Sequence, residues 1–267
     1  MLGLSILPHL ADWISETALP QYKDAKQRKE TMKTLFGSIV GWIACLAIQP
    51  VSADEPSFYD PVQLKIEGWT INVDPQLMRE ENSDVRDKAF AALANHLQRV
   101  KFIVPAKQLA KLQALQIWVD LKHPVLKNMQ YHPSRQWLIA NQHDPRLVKH
   151  VHIPNAQQLY DRNMWAKHPY VILHELAHAY HDQVLGFRDE GIEKAYRAAR
   201  DSGRYNQVLL HTGQVARHYG MNNAKEYFAE STEAYLGVND FYPFVRAELK
   251  EHDPDMYQIM RKVWGPL

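Results

Sequence analysis

Cysteine is almost missing from this chain. Cys45 is the single one in 267 residues, and it lies in an apolar stretch near the N-terminus, so the sequence can build no disulfide framework. A surplus of charge is missing as well: 31 Lys plus Arg stand against 30 Asp plus Glu. The one dense basic run, Lys26-Gln27-Arg28-Lys29, also falls in the N-terminal leader, and that balance predicts no nucleic-acid partner. A long apolar run is lacking too, since the stretch 35–48 is shorter than the roughly 20 residues a membrane span needs, and no stable span is expected once the leader is gone. Repeats and low-complexity tracts are absent. What is present is a 46% hydrophobic composition, enough to bury a substantial core in one two-lobed domain or two small ones.

The leader has an order of its own. Met32-Lys33 opens a short basic region, residues 35–48 are mostly apolar, and Val51-Ser52-Ala53 makes a small-x-small cleavage site before Asp54-Glu55, the pattern of a secretory signal peptide. The expected organisation is an extra or misassigned leader over 1–31, a signal peptide over 32–53 and the functional domain over 54–267, with the product secreted or periplasmic. Two alternatives stay open: a buried or membrane-anchoring helix, and lipidation at Cys45, where Trp42 stands in place of the usual Leu.

Beyond residue 54 the pattern changes from strands to helices. Residues 63–73 alternate, with Leu64, Ile66, Trp69 and Ile71 on one side and Glu67-Gly68 as a turn, which predicts a hairpin. Val85, Phe90, Leu93, Leu97 and Val100 then recur at helical spacing over 84–100. Residues 116–121 and 147–153 alternate again, and 156–162 suit a short helix. From Pro169 the reading is helical: an apolar stripe of Leu173, Leu176, Ala177, Tyr180 and Val184 ends at Gly186, and further helices are expected over 191–200, 224–235 and 255–263. Strands first and helices after indicate an α+β fold, with a small N-terminal sheet and a helical C-terminal lobe.

The stripe helix carries His174-Glu175-Leu176-Ala177-His178. Residues four apart share a helix face, so both imidazoles can point at one ion while Glu175 is displaced sideways towards the remaining position. Zinc hydrolysis needs that arrangement: two neutral imidazoles and one further protein ligand leave a fourth position for water, whose pKa falls to about 7, beside a carboxylate able to take its proton. The expected cofactor is therefore Zn2+. Three and six residues after His178, where the metzincin pattern has Gly and His, stand His181 and Val184, so the third ligand is sought among downstream carboxylates. Glu226 is the best candidate, in the first turn of the next long helix, with Glu230 one turn on to accept a hydrogen bond from a ligating histidine. Against this, Asn223-x-x-Glu226 is also a capping-box spacing, and Glu226, Glu230 and Glu233 could line a solvated helix face. His181 is given a cleft or packing role, since a fourth protein ligand would close the site.

These residues, with Tyr219 seven positions before Glu226, resemble the gluzincin metallopeptidases of the anthrax lethal-factor type, a group that includes clostridial Pro-Pro endopeptidases. The resemblance spans roughly 169–236 and rests on His174, Glu175, His178, Tyr219 and Glu226. It implies a zincin-like fold with the active-site cleft between the two lobes, a peptide or protein substrate, Glu175 as general base and Tyr219 as hydrogen-bond donor to the developing oxyanion. Taken alone, Tyr219 would be an ordinary half-buried aromatic. Tyr131-His132-Pro133-Ser134 with Trp137-Leu138, and the stretch 241–253, resemble segments of secreted proteins with this core, and no toxin domains have room in the chain. The resemblance also implies that a peptide adds as a strand to a sheet edge, for which 147–153 is the expected provider. The competing readings are a secreted zinc-binding module without turnover and an accidental motif in a helical scaffold.

Overall fold

The computed structural model describes residues 58–267. The expected leader and signal peptide lie outside the described residues.

The first hairpin forms as the alternation predicts, with β1 (Val62–Ile66) antiparallel to β2 (Trp69–Val73). Glu67 and Gly68 in the turn have φ of 50° and 98°, the two positive values that suit a right-twisted hairpin and that a glycine at the second position accepts without strain. β3 (Ile117–Val119), β4 (Gln130–Tyr131) and β5 (Val151–Ile153) complete a five-stranded sheet in the order β1-β2-β3-β5-β4. The three central strands are parallel and both edge strands antiparallel. Ile117, Val119, Val151 and Ile153 are fully buried, as parallel strands covered on both faces should be.

This order corrects the expectation that 147–153 supplies the sheet edge. Only Val151–Ile153 is strand, and it lies between β3 and β4. Residues 145–147 form a 3-10 turn capped by Asp144, and Lys149 adopts φ 65°, so the chain enters the sheet late. The edge is β4, too short for periodicity to show.

The helices are α1 (Ser83–Ile103), α2 (Ala106–Gln113), α3 (Arg135–Ala140), α4 (Arg162–Lys167), α5 (Val171–Tyr180), α6 (Glu190–Ser202), α7 (Ala224–Leu236), α8 (Arg246–His252) and α9 (Pro254–Trp264). The protein is α+β. Four helices are absent from the sequence reading: α2, α3, α4 and α8 are each eight residues or fewer and bury at most one side chain apiece, Leu112, Leu138 and Leu249 in α2, α3 and α8 and none in α4, so no apolar stripe announces them. Ala156–Tyr160 is 3-10 rather than α-helical. A small hairpin, β6 (Val208–Leu209) with β7 (Val215–Ala216), sits between α6 and α7.

One apolar core runs from the sheet through α1 and α5 to α7 and the Trp264 ring of α9. α5 departs most from its expected form. All ten of its residues are buried, because the face that carries the polar side chains is covered by α7 instead of solvent.

Candidate active site

Two devices fix the start of α5. The Arg99 guanidinium, from α1, stacks 4.5 Å from the Tyr170 ring and 4.9 Å from Trp165 and donates to the Pro169 carbonyl. The Tyr170 ring also lies against Gly237, where a Cβ would come within 2.5 Å of its Cζ, so glycine leaves room for the ring at the end of α7. α7 itself begins at Asn223, whose side chain accepts from the N–H groups of Lys225 and Glu226 at 2.9 and 3.1 Å. The capping spacing is therefore real, but its acceptor is Asn223, and the Glu226 carboxylate turns inward. Glu230 and Glu233 are buried as well, so this face of α7 is not solvated.

Three ligand atoms converge. His174 Nε2 lies 3.1 Å from His178 Nε2, and Glu226 Oε2 is 3.3 Å from the first and 3.2 Å from the second. A tetrahedral zinc with bonds of about 2.0–2.1 Å requires ligand atoms roughly 3.3–3.4 Å apart, so the triangle matches one face of that polyhedron. The surroundings call for a cation. Glu175 Oε2, Glu230 Oε2, Glu233 Oε2 and both oxygens of Asp240 are buried without a hydrogen-bond partner, a concentration of acceptors that a divalent ion would offset. The donor set fits zinc.

Glu233 is the residue that sequence reasoning did not assign. Its Oε1 accepts from His174 Nδ1 at 2.6 Å, whereas Glu230 Oε1 stands 3.8 Å away. That bond fixes the tautomer in which His174 Nε2 is free to ligate. The signal was present in the sequence: seven residues after Glu226 is the same helix face, as four residues is, and only the tilt of α7 against α5 chooses between the two. Behind this pair, Asp240 Oδ2 lies 3.5 Å from His168 Nε2, and burial pushes the Asp240 carboxyl up to about 7.

The charges around the ligand atoms are strongly interdependent. Burial would lower the His174 pKa, yet bonds to Glu226 and Glu233 raise it well above its usual value. For His178 burial prevails over Glu226, and its pKa falls. Burial would raise Glu226, but the two histidines hold it well below the carboxylate range. Glu175 is pushed up to about 8, by burial first and by Glu226 next, with His174 opposing. The backbone N–H of Tyr131, on β4, faces its carboxylate and opposes that rise.

That strand is tied along α5 by side chains. The Tyr131 hydroxyl donates to Asp182 Oδ2 at 2.6 Å, Gln183 Nε2 donates to the Tyr131 hydroxyl and to the Lys149 carbonyl, and Lys149 pairs with Asp182. Asp182 and Gln183 belong to the π-helical turn His181–Leu185 that continues α5. His181 itself is packed between Phe187 and Phe228, with ring centres 5.1 and 4.7 Å away, so of its two expected roles the structure shows packing.

Tyr219 opens the turn Tyr219–Asn222 just ahead of α7 and is 43% exposed. Burial, then Glu226, push its hydroxyl up to about 12, which keeps it a neutral donor. Its mount was not foreseen: buried His218 accepts the Gly220 N–H at Nδ1, and a Cβ on Gly220 would meet Tyr227 Cα at 3.1 Å.

No family model and no curated protein matches the chain. Among solved structures it is similar to the Pro-Pro endopeptidase PPEP-2 from Paenibacillus alvei, with 18% identity over 65% of this chain and 89% of that one and a TM-score of 0.37.

Proposed function

We propose that the protein is an exported zinc metallopeptidase of the gluzincin type that cleaves peptide bonds within a chain. One observation carries the reading: His174 Nε2, His178 Nε2 and Glu226 Oε2 lie 3.1–3.3 Å from one another, one face of a zinc tetrahedron, with Glu175 beside them. Bound zinc supplies a Lewis acid that polarises the scissile carbonyl and makes water a nucleophile near neutral pH.

The chain's own groups do the rest. Glu175, buried beside the ligand atoms, is placed to accept a proton from the attacking water and return it to the leaving amine. The Tyr219 phenol donates to the oxyanion without giving up its proton. Glu233 holds His174 by Nδ1, and the outer edge of β4 offers main-chain groups to an extended peptide. A structural zinc site has no need of a carboxyl without a partner next to its ligands, and Glu175 Oε2 has none.

Glu175→Gln is the decisive variant. Cleavage of a peptide library should fall by about a thousandfold or more while one zinc per chain is retained. Unchanged cleavage would overturn the mechanism, and wild-type protein that holds zinc but cleaves nothing would leave the binding module in its place.

A further inference from the structure

A second array of buried polar side chains lies on the far side of β4 from Glu175, and the proposed mechanism does not use it. Asp120, just after β3, accepts from the Tyr59 hydroxyl and from Trp118 Nε1 on Oδ1. Its Oδ2 is 3.0 Å from His152 Nε2 on β5, and His152 Nδ1 is 3.0 Å from His132 Nε2 at the end of β4. All three residues are at most 4% exposed. A carboxylate only accepts, so His152 donates from Nε2, and the neutral form of His152 then accepts at Nδ1 from His132 Nε2.

Packing keeps the chain in that state. Trp137 of α3 stacks over His132 with centres 6.2 Å apart, while His123, His143 and His150 face the pair from neighbouring loops. Burial first, then His152 and these three histidines, hold His132 neutral with a pKa of about 3. Burying three polar groups in this way costs desolvation that an apolar trio would not, which suggests a task that apolar contacts cannot perform. The array ends on His132, the residue after Tyr131; the ladder pairs only Gln130 and Tyr131 with β5, and beyond it His132 exchanges backbone bonds with His150 and Lys149.

We infer that Asp120, His152 and His132 form a positioning relay that sets the depth of β4, so that the Tyr131 backbone faces Glu175 and the strand edge meets the peptide. The inference rests on the reading of Glu175 as base, but its structural half can be tested without activity. It also gives a task to the Tyr131-His132-Pro133-Ser134 segment.

The experiment compares zinc-loaded wild type with His132→Leu and His132→Gln, reading amide exchange over 130–132, kcat and KM, and zinc per chain. His132→Leu removes the donor; exchange over 130–132 should rise by at least about tenfold and kcat should drop by a similar factor, with one zinc per chain kept. Gln can donate from its amide to His152, and should bring both back to within about threefold of wild type. Wild-type exchange and kcat in the Leu variant, or no recovery with Gln, would overturn the relay. Should the Leu variant not fold, Asp120→Asn replaces it, with a smaller change in the same direction expected and no change overturning the inference. If wild type cleaves no peptide, exchange alone decides: faster exchange in the Leu variant with recovery in Gln supports the relay, and unchanged exchange overturns it.

Discussion

Two carboxylates on one helix face, three residues apart, have different consequences for the metal. Glu233 Oε1 is 2.6 Å from His174 Nδ1 and Glu230 Oε1 is 3.8 Å away, so only the first fixes the ring. Glu233→Gln, which keeps the volume and weakens the acceptor, should loosen zinc by about 10–100-fold, the usual effect of removing a carboxylate behind a ligating histidine, and Glu230→Gln should loosen it less. Competition with a zinc-chelating dye checks the order, and equal losses would mean that the 2.6 Å bond does not set the affinity. The proposed ligands His174 and His178 and the proposed base Glu175 could be named from their spacing, because an α-helix fixes its own i to i+4 geometry. Glu226 could be named as a candidate but not separated from a capping residue, because that depends on which way a side chain turns, and Asn223 settled it by taking the cap.

At the scale of elements, the site depends on two helices that approach more closely than ordinary side chains allow. Gly237 is the contact point, where a Cβ would meet the Tyr170 ring at 2.5 Å. The Tyr170 ring it touches is also stacked on by Arg99, 4.5 Å from its centre, which limits how far it can give. Gly237→Ala should therefore cost about 1–3 kcal/mol, the range for an overpacked core, and displace α7 from α5. A fall in thermal midpoint together with weaker zinc binding is the expected result, and wild-type melting would show that the ring can give way. The sheet gives the complementary lesson. The alternation over 63–73 and the turn at Glu67-Gly68 suffice to specify a hairpin, because its partners are adjacent in the chain. Strand order is a long-range property, and β5 lies inside the sheet because β4, invisible by period, pairs on its outer side.

For the molecule as a whole, buried neutral histidines give stability a direction in pH. His96, His132 and His218 are each held near a pKa of about 3, burial being the largest cause, against a usual value of 6.5. Folded-state values below the unfolded one mean that, as pH falls under 6.5, the unfolded chain takes up protons that the folded chain refuses. Stability is complete above 6.5 and is lost progressively down to about 3, by up to about 2 kcal/mol for each of the three at pH 5. Zinc ligation by neutral imidazole weakens in the same direction. The thermal midpoint of the zinc-loaded protein should thus drop by several degrees between pH 7 and pH 5, and a flat or rising profile would contradict these assignments.

The sequence by itself determined what is local: the two histidines and the glutamate of one helix, the hairpin, the long helices and the α+β order of elements, all set by periods and turns within a few residues. Only the tertiary structure decided that β4 is the edge on the β5 side, that Glu233 accepts the His174 Nδ1 bond, that His218 mounts Tyr219, and that a full turn of carboxylates is buried instead of solvated. Each of these depends on the distance between segments remote in the chain, and such distances are fixed by the packing of one core around α5, to which no short stretch of sequence refers.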